Sequence, residues 1–269
     1  MTSTGLRVAV AQFAPTADKR ANLRRIGALA AEAAATGAQL VVFPEYSSYF
    51  TDPMDSSFAE NAEPLDGSFV TGLRALAREL SIHLVAGIAE SVAGRERFSN
   101  TLVAIEPGGL VVATYRKQHL YDAFGQRESD WVVPGAITEP ETFAVGDLTV
   151  GLQTCYDLRF PEVTRSLVDA GAGLILVPSE WVAGPNKVHA WRTLLAARAI
   201  ENTVYFAAAD HPPPIGVGSS VILDPQGLVL AELGDDQGIA SATLDSAELA
   251  AVRTRNPSLA LRRYGVHPL

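Results

Sequence analysis

The sequence is poor in cysteine and in lysine. Cys155 is the single cysteine among 269 residues, so no disulfide can form within the chain. Only three lysines occur, at positions 19, 117 and 187. With 21 basic and 30 acidic residues, the formal net charge is −9. An acidic surface argues against nucleic acid or an anionic membrane as a partner. A small anionic substrate is still compatible with this net charge, because one cationic side chain in the binding site can outweigh the negative charge of the whole protein.

Long hydrophobic runs are also absent. No apolar stretch approaches the roughly 18 uninterrupted residues that indicate a membrane-spanning helix. The first five residues lack the basic and apolar segments of a secretory signal peptide. We therefore expect a cytoplasmic protein without a membrane partner.

What the chain does contain is a strand and helix pattern that occurs twice. Each half has a strand, a helix, a strand and a helix, followed by three strands. The predicted strands are 6–13, 39–43, 83–90, 99–106 and 110–116 in the first half, and 148–154, 173–177, 203–209, 219–224 and 228–233 in the second; the predicted helices are 22–36, 67–80, 161–170 and 187–200. Such mixed sheets have to be covered on both faces. The repeat predicts one α/β domain over 1–269, a four-layer α-β-β-α sandwich of two mixed sheets with an internal pseudo-two-fold repeat.

Two stretches fall outside this repeat. Residues 117–147 have no clear period, and a loop of that length in a compact domain tends to carry function. After a short helical segment from Ser246, residues 253–269 are rich in arginine. We expect this tail to be an exposed arm that packs on a partner subunit.

Three chemically useful side chains follow predicted strands. Glu45 follows strand 39–43, Lys117 ends strand 110–116, and Cys155 follows strand 148–154. Enzymes of the α/β class place their chemistry at the carboxyl edge of the sheet. Backbone N–H groups at such a turn can lower the pKa of a thiol and receive an oxyanion.

By position alone, each of the three has a plainer interpretation. A lone cysteine such as Cys155 is more often a buried structural residue. Glu45 could be a helix or turn cap, and Lys117 a solvated charge. Together, however, thiolate, carboxylate and ammonium predict a nucleophile, a proton carrier and an oxyanion stabiliser.

Five ordered segments carry a family resemblance. They are Val42–Glu45, Tyr115–Leu120, Cys155–Glu162, Ala197–Asn202 and Gly218–Gly227. In this order they closely resemble the nitrilase superfamily of carbon–nitrogen hydrolases, and the matches extend over nearly the whole chain. The resemblance implies the sandwich fold and a catalytic triad of Glu45, Lys117 and Cys155. It also implies hydrolysis of a small carboxamide to acid and ammonia through a cysteine thioester.

The same resemblance implies two further contributions to catalysis. Glu128 matches a second glutamate that orients Lys117 and helps to position the leaving nitrogen or the attacking water. The backbone N–H of Tyr156 matches a second oxyanion donor. Because the family usually pairs its subunits, a homodimer or a higher homo-oligomer is expected. His119, Asp122 and Glu128 fit no standard metal spacing, so we expect neither a metal nor a cofactor.

The segment Cys155–Glu162 looks most like the branch that contains omega-amidases and deaminated-glutathione amidases. These enzymes cleave a terminal carboxamide from small molecules that bear a carboxylate. Arg159 is then a candidate for a substrate carboxylate or for a structural ion pair, and the neighbouring acidic residues favour the ion pair. By the internal repeat, Glu180 and Trp181 line the pocket. Glu180 could repel an anionic substrate and admit a cationic amide, or it could point at a backbone donor.

Other functions remain open at this stage. Nitrile hydrolysis uses the same triad, and N-carbamoyl amidohydrolases share the fold, so pocket shape has to decide. A catalytically idle scaffold subunit is an alternative of another class. The intact triad argues against it, because a binding module has no need to keep all three residue types.

Overall fold

The computed structural model describes residues 5–268, which form two six-stranded sheets. The first sheet has the order β12 (Gly238–Leu244), β1 (Leu6–Gln12), β2 (Leu40–Val42), β3 (His83–Glu90), β4 (Ser99–Ile105) and β5 (Val111–Arg116). The second has the order β11 (Val229–Glu232), β10 (Val221–Leu223), β9 (Tyr205–Ala209), β8 (Leu174–Pro178), β7 (Leu148–Leu152) and β6 (Thr142–Val145). The helices are α1 (Lys19–Ala35), α2 (Ser57–Asn61), α3 (Ser68–Leu80), α4 (Pro161–Asp169), α5 (Lys187–Asn202) and α6 (Ser246–Arg255).

Both sheets are mixed, as predicted. β1, β2 and β3 are parallel in one sheet, and β7, β8 and β9 are parallel in the other. Antiparallel strands flank each parallel centre. The three parallel strands follow the strand–helix–strand repeat of each half of the sequence, because a parallel pair needs a crossover connection.

Successive side chains of the central strands point alternately to the other sheet and to the helices, which is the arrangement of a four-layer sandwich. Along β1, Val8 and Val10 belong to the cluster between the sheets, whereas Ala9 and Ala11 pack with α1 and α3. β8 sends alternate residues to the same inner cluster and to a third cluster with α4 and α5. Because these strands are buried on both faces, they appear in the sequence as continuous apolar runs. The predicted four-layer α-β-β-α sandwich is confirmed.

Two strands were absent from the sequence prediction, and they occupy equivalent places. β6 lies in the stretch 117–147 that was predicted as a loop, and it pairs antiparallel with β7. β12 pairs antiparallel with β1 at the corresponding edge of the other sheet. The internal repeat is therefore more complete than the sequence pattern indicated.

One helix begins earlier than predicted because a side chain caps it. α1 begins three residues before the predicted start, because the Asp18 carboxylate accepts from the N–H groups of Arg20 and Ala21 at 2.9 and 3.0 Å. α6 takes in the first residues of the predicted arm. Its Arg253 guanidinium donates to the carbonyls of Thr203 and Ala172 of the same chain.

The described part of the chain has no helix that combines the length and apolar character needed to cross a membrane. Residues 1–4, where no signal peptide was expected, and residue 269 of the predicted arm lie outside that part.

Candidate active site

The three predicted catalytic side chains lie together where the carboxyl ends of both sheets meet. Glu45 and Lys117 follow β2 and β5 of the first sheet, and Cys155 follows β7 of the second. β5 points the same way as β2, because two antiparallel pairings separate it from β3. The exposed fractions of Glu45, Lys117 and Cys155 are 1%, 2% and 5%. Water is therefore largely excluded from the charges of this cluster.

The Glu45 carboxylate is held by three donors. Lys117 Nζ and Asn100 Nδ2 donate to Oε1 at 2.9 and 2.5 Å, and the backbone N–H of Glu180 donates to Oε2 at 2.7 Å. Burial raises the pKa of the Glu45 carboxyl, and the Glu128 carboxylate adds to the rise, while Lys117 opposes it. A carboxylate with a raised pKa is suited to accept and return a proton near neutral pH.

The Lys117 ammonium lies between two carboxylates. Its Nζ is 2.9 Å from an oxygen of Glu45 and 2.9 Å from an oxygen of Glu128. Burial alone lowers the pKa of a lysine, but these two carboxylates outweigh it and hold the pKa of Lys117 well above its usual value. Lys117 therefore remains a cation.

Glu128 is part of the same buried cluster. It opens a short 3₁₀ turn and is 7% exposed. Its oxygens accept from the hydroxyl of Tyr46 and from the backbone N–H of Tyr121, both at 2.6 Å. Although burial raises its pKa, the Lys117 ammonium and these donors lower it below the usual value. Glu128 thus remains ionised and is the second carboxylate that binds Lys117.

Cys155 begins a 3₁₀ turn directly before α4 and has a left-handed φ of 46°. A capping box between Thr154 and Asp157 closes the first turn. The Sγ–H donates to the carbonyl of Glu180 at 3.3 Å. Burial raises the pKa of the thiol well above its usual value, Glu45 adds to the rise, and Lys117 opposes it. The shift is opposite to the one expected from the turn, because burial outweighs the nearby cation; at rest the residue is a thiol.

A pocket with about 210 Å³ of open space adjoins Cys155. Its lining includes the predicted Tyr156, Arg159, Glu180 and Trp181, together with Tyr121 and Lys187. The lining combines aromatic rings with the two cations Arg159 and Lys187.

Arg159 does not form the expected ion pair. The Asp157 carboxylate is occupied by the Tyr115 hydroxyl, by His119 and by Thr154. Within residues 5–268 the guanidinium pairs with no carboxylate, and its Nε is buried without a hydrogen bond. It lies 4.9 Å from the centre of the Trp181 ring. The guanidinium is left to face the pocket.

Lys187 is a second pocket cation, which the sequence prediction missed. Its side chain leaves the first turn of α5, and Nζ donates to the Tyr121 hydroxyl at 2.6 Å. Nζ also lies 3.9 Å from the centre of the Phe124 ring. Burial lowers its pKa, and the Arg159 guanidinium lowers it further. No carboxylate of residues 5–268 forms an ion pair with Lys187.

Glu180 contributes to the site mainly through its backbone. The peptide N–H holds Glu45 and the carbonyl accepts from Cys155. Burial raises the pKa of the Glu180 carboxyl well above its usual value, and the carboxylates of Glu45 and Asp210 raise it further. Because burial favours its neutral form, the Glu180 carboxyl opposes a bound anion less than an exposed glutamate would. Arg159 and Lys187 are the cations of the pocket lining.

Several contributing residues were missing from the sequence prediction. Asn100, Tyr46, Tyr121 and Lys187 bind members of the cluster or line the pocket. Asn100 is fully buried in β4, but it stands between the polar residues Ser99 and Thr101, so its place in the sequence does not set it apart. Within residues 5–268 no group of three or more His, Cys, Asp or Glu side chains is arranged to hold a metal ion.

Comparison with known proteins decides the family. Residues 7–254 match the carbon-nitrogen hydrolase family. The chain belongs to this family. It is 39% identical to a hydrolase of Mycobacterium tuberculosis over 93% of each chain. It is also 36% identical to the deaminated glutathione amidase of Escherichia coli O157:H7, over 96% of this carbon–nitrogen hydrolase and 97% of the relative.

Solved structures agree with this assignment. The carbon–nitrogen hydrolase superimposes with a TM-score of 0.84 on a double mutant of the amidase from Nesterenkonia sp. AN1 in complex with acrylamide, at 30% identity over 98% of this chain and 96% of that one. Another mutant of that amidase carries the acetamide moiety of fluoroacetamide on its active-site cysteine; its TM-score is 0.81, at 30% identity over 97% and 98% of the two chains. The predictions of an amide-cleaving enzyme and of a cysteine nucleophile are confirmed, and the scaffold alternative is disfavoured.

Proposed function

We propose that Glu45, Lys117 and Cys155 are the catalytic triad of an amidase that acts on a short amide with a carboxylate at its other end. The carboxylate preference is carried by one observation: the pocket beside Cys155 holds two cations, Arg159 and Lys187, without ion-pair partners among residues 5–268. A cation that is partly removed from water without a counter-charge is costly, and an anionic substrate group offsets that cost.

Attack requires a proton transfer to Glu45, because the resting Cys155 is a thiol. As Sγ bonds to the amide carbon, its proton passes to the Glu45 carboxylate. The carbonyl π electrons move to oxygen, and the oxyanion is stabilised by the Lys117 ammonium and the backbone N–H of Tyr156.

Collapse of this intermediate breaks the carbon–nitrogen bond. Glu45 gives its proton to the leaving nitrogen, and ammonia departs from a thioester on Cys155. A water molecule then attacks the thioester carbon and loses a proton to Glu45, which returns it to the departing sulfur. Acid and free thiol result. Glu128 fixes Lys117 throughout and helps to position the nitrogen or the water.

Mass spectrometry tests the nucleophile. The protein is mixed with an excess of a short amide and quenched in acid, and we expect the mass of one acyl group on Cys155. Hydroxylamine should remove the adduct as a hydroxamate, since it cleaves thioesters. Cys155→Ala is the matched control and should stay unmodified. An adduct that persists in this variant would disprove the assignment.

A substrate panel tests the preference for a carboxylate. Three amides of equal length, ending in a carboxylate, a neutral group or an ammonium, are compared by kcat/KM. We expect the carboxylate to be best, and Arg159→Met to lower its kcat/KM by roughly 10–100-fold, as for loss of a charge-assisted hydrogen bond. The neutral amide should be little affected. A preference for the ammonium would favour the cationic alternative, and faster turnover of a matched nitrile would favour a nitrilase.

We also propose that the protein is a homodimer and that it is located in the cytoplasm. The exposed segment that follows α6 supports contact with a second subunit, because it includes Leu261 and Tyr264, exposed by 70% and 90%. A single cysteine used as a nucleophile favours a compartment that keeps thiols reduced.

A further inference from the structure

Asp210 is a buried acidic side chain that the proposed reaction does not use; burial raises its pKa well above the usual value, and the backbone N–H groups that it binds oppose the rise. It follows β9 directly and has an exposed fraction of 0%. Its Oδ1 accepts from the backbone N–H of Trp181 at 2.7 Å, and its Oδ2 accepts from the backbone N–H of Val217 at 2.9 Å. Each carboxylate oxygen thus fixes a different segment of backbone.

The segment bound by Oδ1 contacts both reacting groups. Trp181 is the residue after Glu180, whose N–H donates to Glu45 Oε2 at 2.7 Å and whose carbonyl accepts from Cys155 Sγ at 3.3 Å. The peptide planes on both sides of Glu180 therefore determine where the base and the thiol sit relative to each other. On the other side of Glu180, the N–H of Ser179 is fixed by the carbonyl of Ala209 at 2.8 Å.

The neighbouring residue fixes Glu45 from its other side. His211 Nε2 lies 2.7 Å from the backbone carbonyl of Glu45. Burial lowers the pKa of His211 to about 4, so the ring is neutral at pH 7 and donates from Nε2. The turn after it has no spare room, because a Cβ on Gly216 would lie 2.3 Å from the His211 carbonyl and 2.9 Å from Asp210 Oδ2.

We propose that Asp210 is a positioning residue, which orients the Glu180 peptide so that the Glu45 carboxylate and the Cys155 thiol are aligned for proton transfer. Loss of the Asp210 carboxyl should therefore lower kcat more than it changes KM. The pocket cations belong to other elements, and the Trp181 ring is held separately through its Nε1 donation to the Lys187 carbonyl at 3.1 Å. A reacting group misplaced by about 1 Å can cost roughly 100-fold in rate.

Asp210→Asn is the sharpest test, since it keeps the shape and replaces one acceptor by an NH₂ group that faces a backbone N–H. We expect kcat on the preferred amide to fall by roughly 30–100-fold, with KM nearly unchanged. Ser220→Ala is the matched control. The Ser220 hydroxyl accepts from the Asp210 N–H at 2.9 Å and donates to Gln12 at 2.7 Å, but it does not contact the Glu180 peptide. The melting temperature of Ser220→Ala should fall, while its kcat should stay unchanged.

A purely structural role for Asp210 predicts a different result. In that case kcat would fall only in proportion to the loss of melting temperature, in both variants, or KM would change in place of kcat. Either result overturns the proposal. If Asp210→Asn does not fold, Asp210→Ser leaves room for a water molecule to bind the two N–H groups, and the same comparison of kcat with KM applies.

This inference rests on the proposed roles of Glu45 and Cys155, and the two can fail separately. An active Cys155→Ala variant refutes the proposed mechanism itself. An inactive Cys155→Ala variant beside an Asp210→Asn variant with normal kcat refutes only the role of Asp210.

Discussion

The Lys117 ammonium balances two carboxylates that have almost no contact with water, so it is important for stability as well as for chemistry. Its side chain is 2% exposed, and those of Glu45 and Glu128 are 1% and 6% exposed. Removing one partner of a buried pair costs about 3–5 kcal/mol, because the remaining charge is uncompensated. We expect Lys117→Met to lower the free energy of unfolding by about that amount at pH 7.

The loss should be smaller at pH 5. Without Lys117 the buried carboxyls have folded-state pKa values above their unfolded values, so the folded variant takes up protons and gains stability as the pH falls toward the unfolded pKa. Urea unfolding at pH 5 and pH 7 measures this. Lys19→Met is a control, since its ion pair with Glu63 is partly exposed and is worth about 1 kcal/mol or less. Equal losses for Lys117→Met at both pH values would contradict the argument.

The charge of Glu128 should also set the pH at which activity begins. Glu45 has to be ionised to take the thiol proton, and Glu128 is one of the groups that raise its pKa. In Glu128→Gln the acid limb of kcat/KM should therefore move to lower pH. Activity should fall by roughly 10–100-fold, because Lys117 loses a charge-assisted hydrogen bond. The pH–rate profiles of the wild-type protein and of Glu128→Gln measure this shift. An acid limb that moves to higher pH in the variant would rule out that Glu128 raises the pKa of Glu45.

At the scale of elements, the crossing of β3 with the segment after β2 leaves no space for a side chain. A Cβ on Gly87 of β3 would lie 2.7 Å from Glu45 Cα and 2.7 Å from the backbone nitrogen of Tyr46. Gly87→Ala should displace Glu45 and lower kcat at least about tenfold, because small displacements of a catalytic group are costly. Gly234→Ala is the control, since its Cβ would meet no atom of residues 5–268 within 4 Å. Circular dichroism should report folded protein for both; full activity of Gly87→Ala would disprove this constraint.

The sequence predicted elements well where a signal was local and poorly where it was not. The buried parallel strands were found because they are continuous apolar runs. β12 was missed because its half-buried Gly, Ala and Ser residues have low strand propensity, and its partner β1 lies at the other end of the chain. β6 has only four residues within a stretch that lacks a period.

The same distinction explains what was predicted of the site. Glu45, Lys117 and Cys155 follow strands and stand in recognisable motifs. Asn100 and Lys187 reach the site through side chains from β4 and α5, and no local pattern indicates that contact. Arg159 was given the wrong partner, because nearness in sequence to Asp157 does not decide which donors fill that carboxylate.

For the whole molecule, the segment after β12 has two parts with different roles. α6 buries Leu249 and Val252, which are 6% and 4% exposed. A chain that ends after residue 245 should lose about 3–6 kcal/mol of unfolding free energy, as expected for two buried aliphatic side chains. A chain that ends after residue 256 should lose only about 1–2 kcal/mol, because the arm offers a partly exposed ion pair between Arg262 and Asp169 and the partly buried Leu259.

The chain that ends after residue 256 also tests the proposed dimer. If the arm packs on a partner subunit, the full-length protein should be a dimer in light scattering and the shortened protein a monomer at the same concentration. Catalysis should survive in the monomer, because every described residue of the triad and pocket lies before the arm. A shortened protein that remains a dimer would place the subunit contact elsewhere. A full-length monomer would leave the exposed Leu261 and Tyr264 without the proposed role.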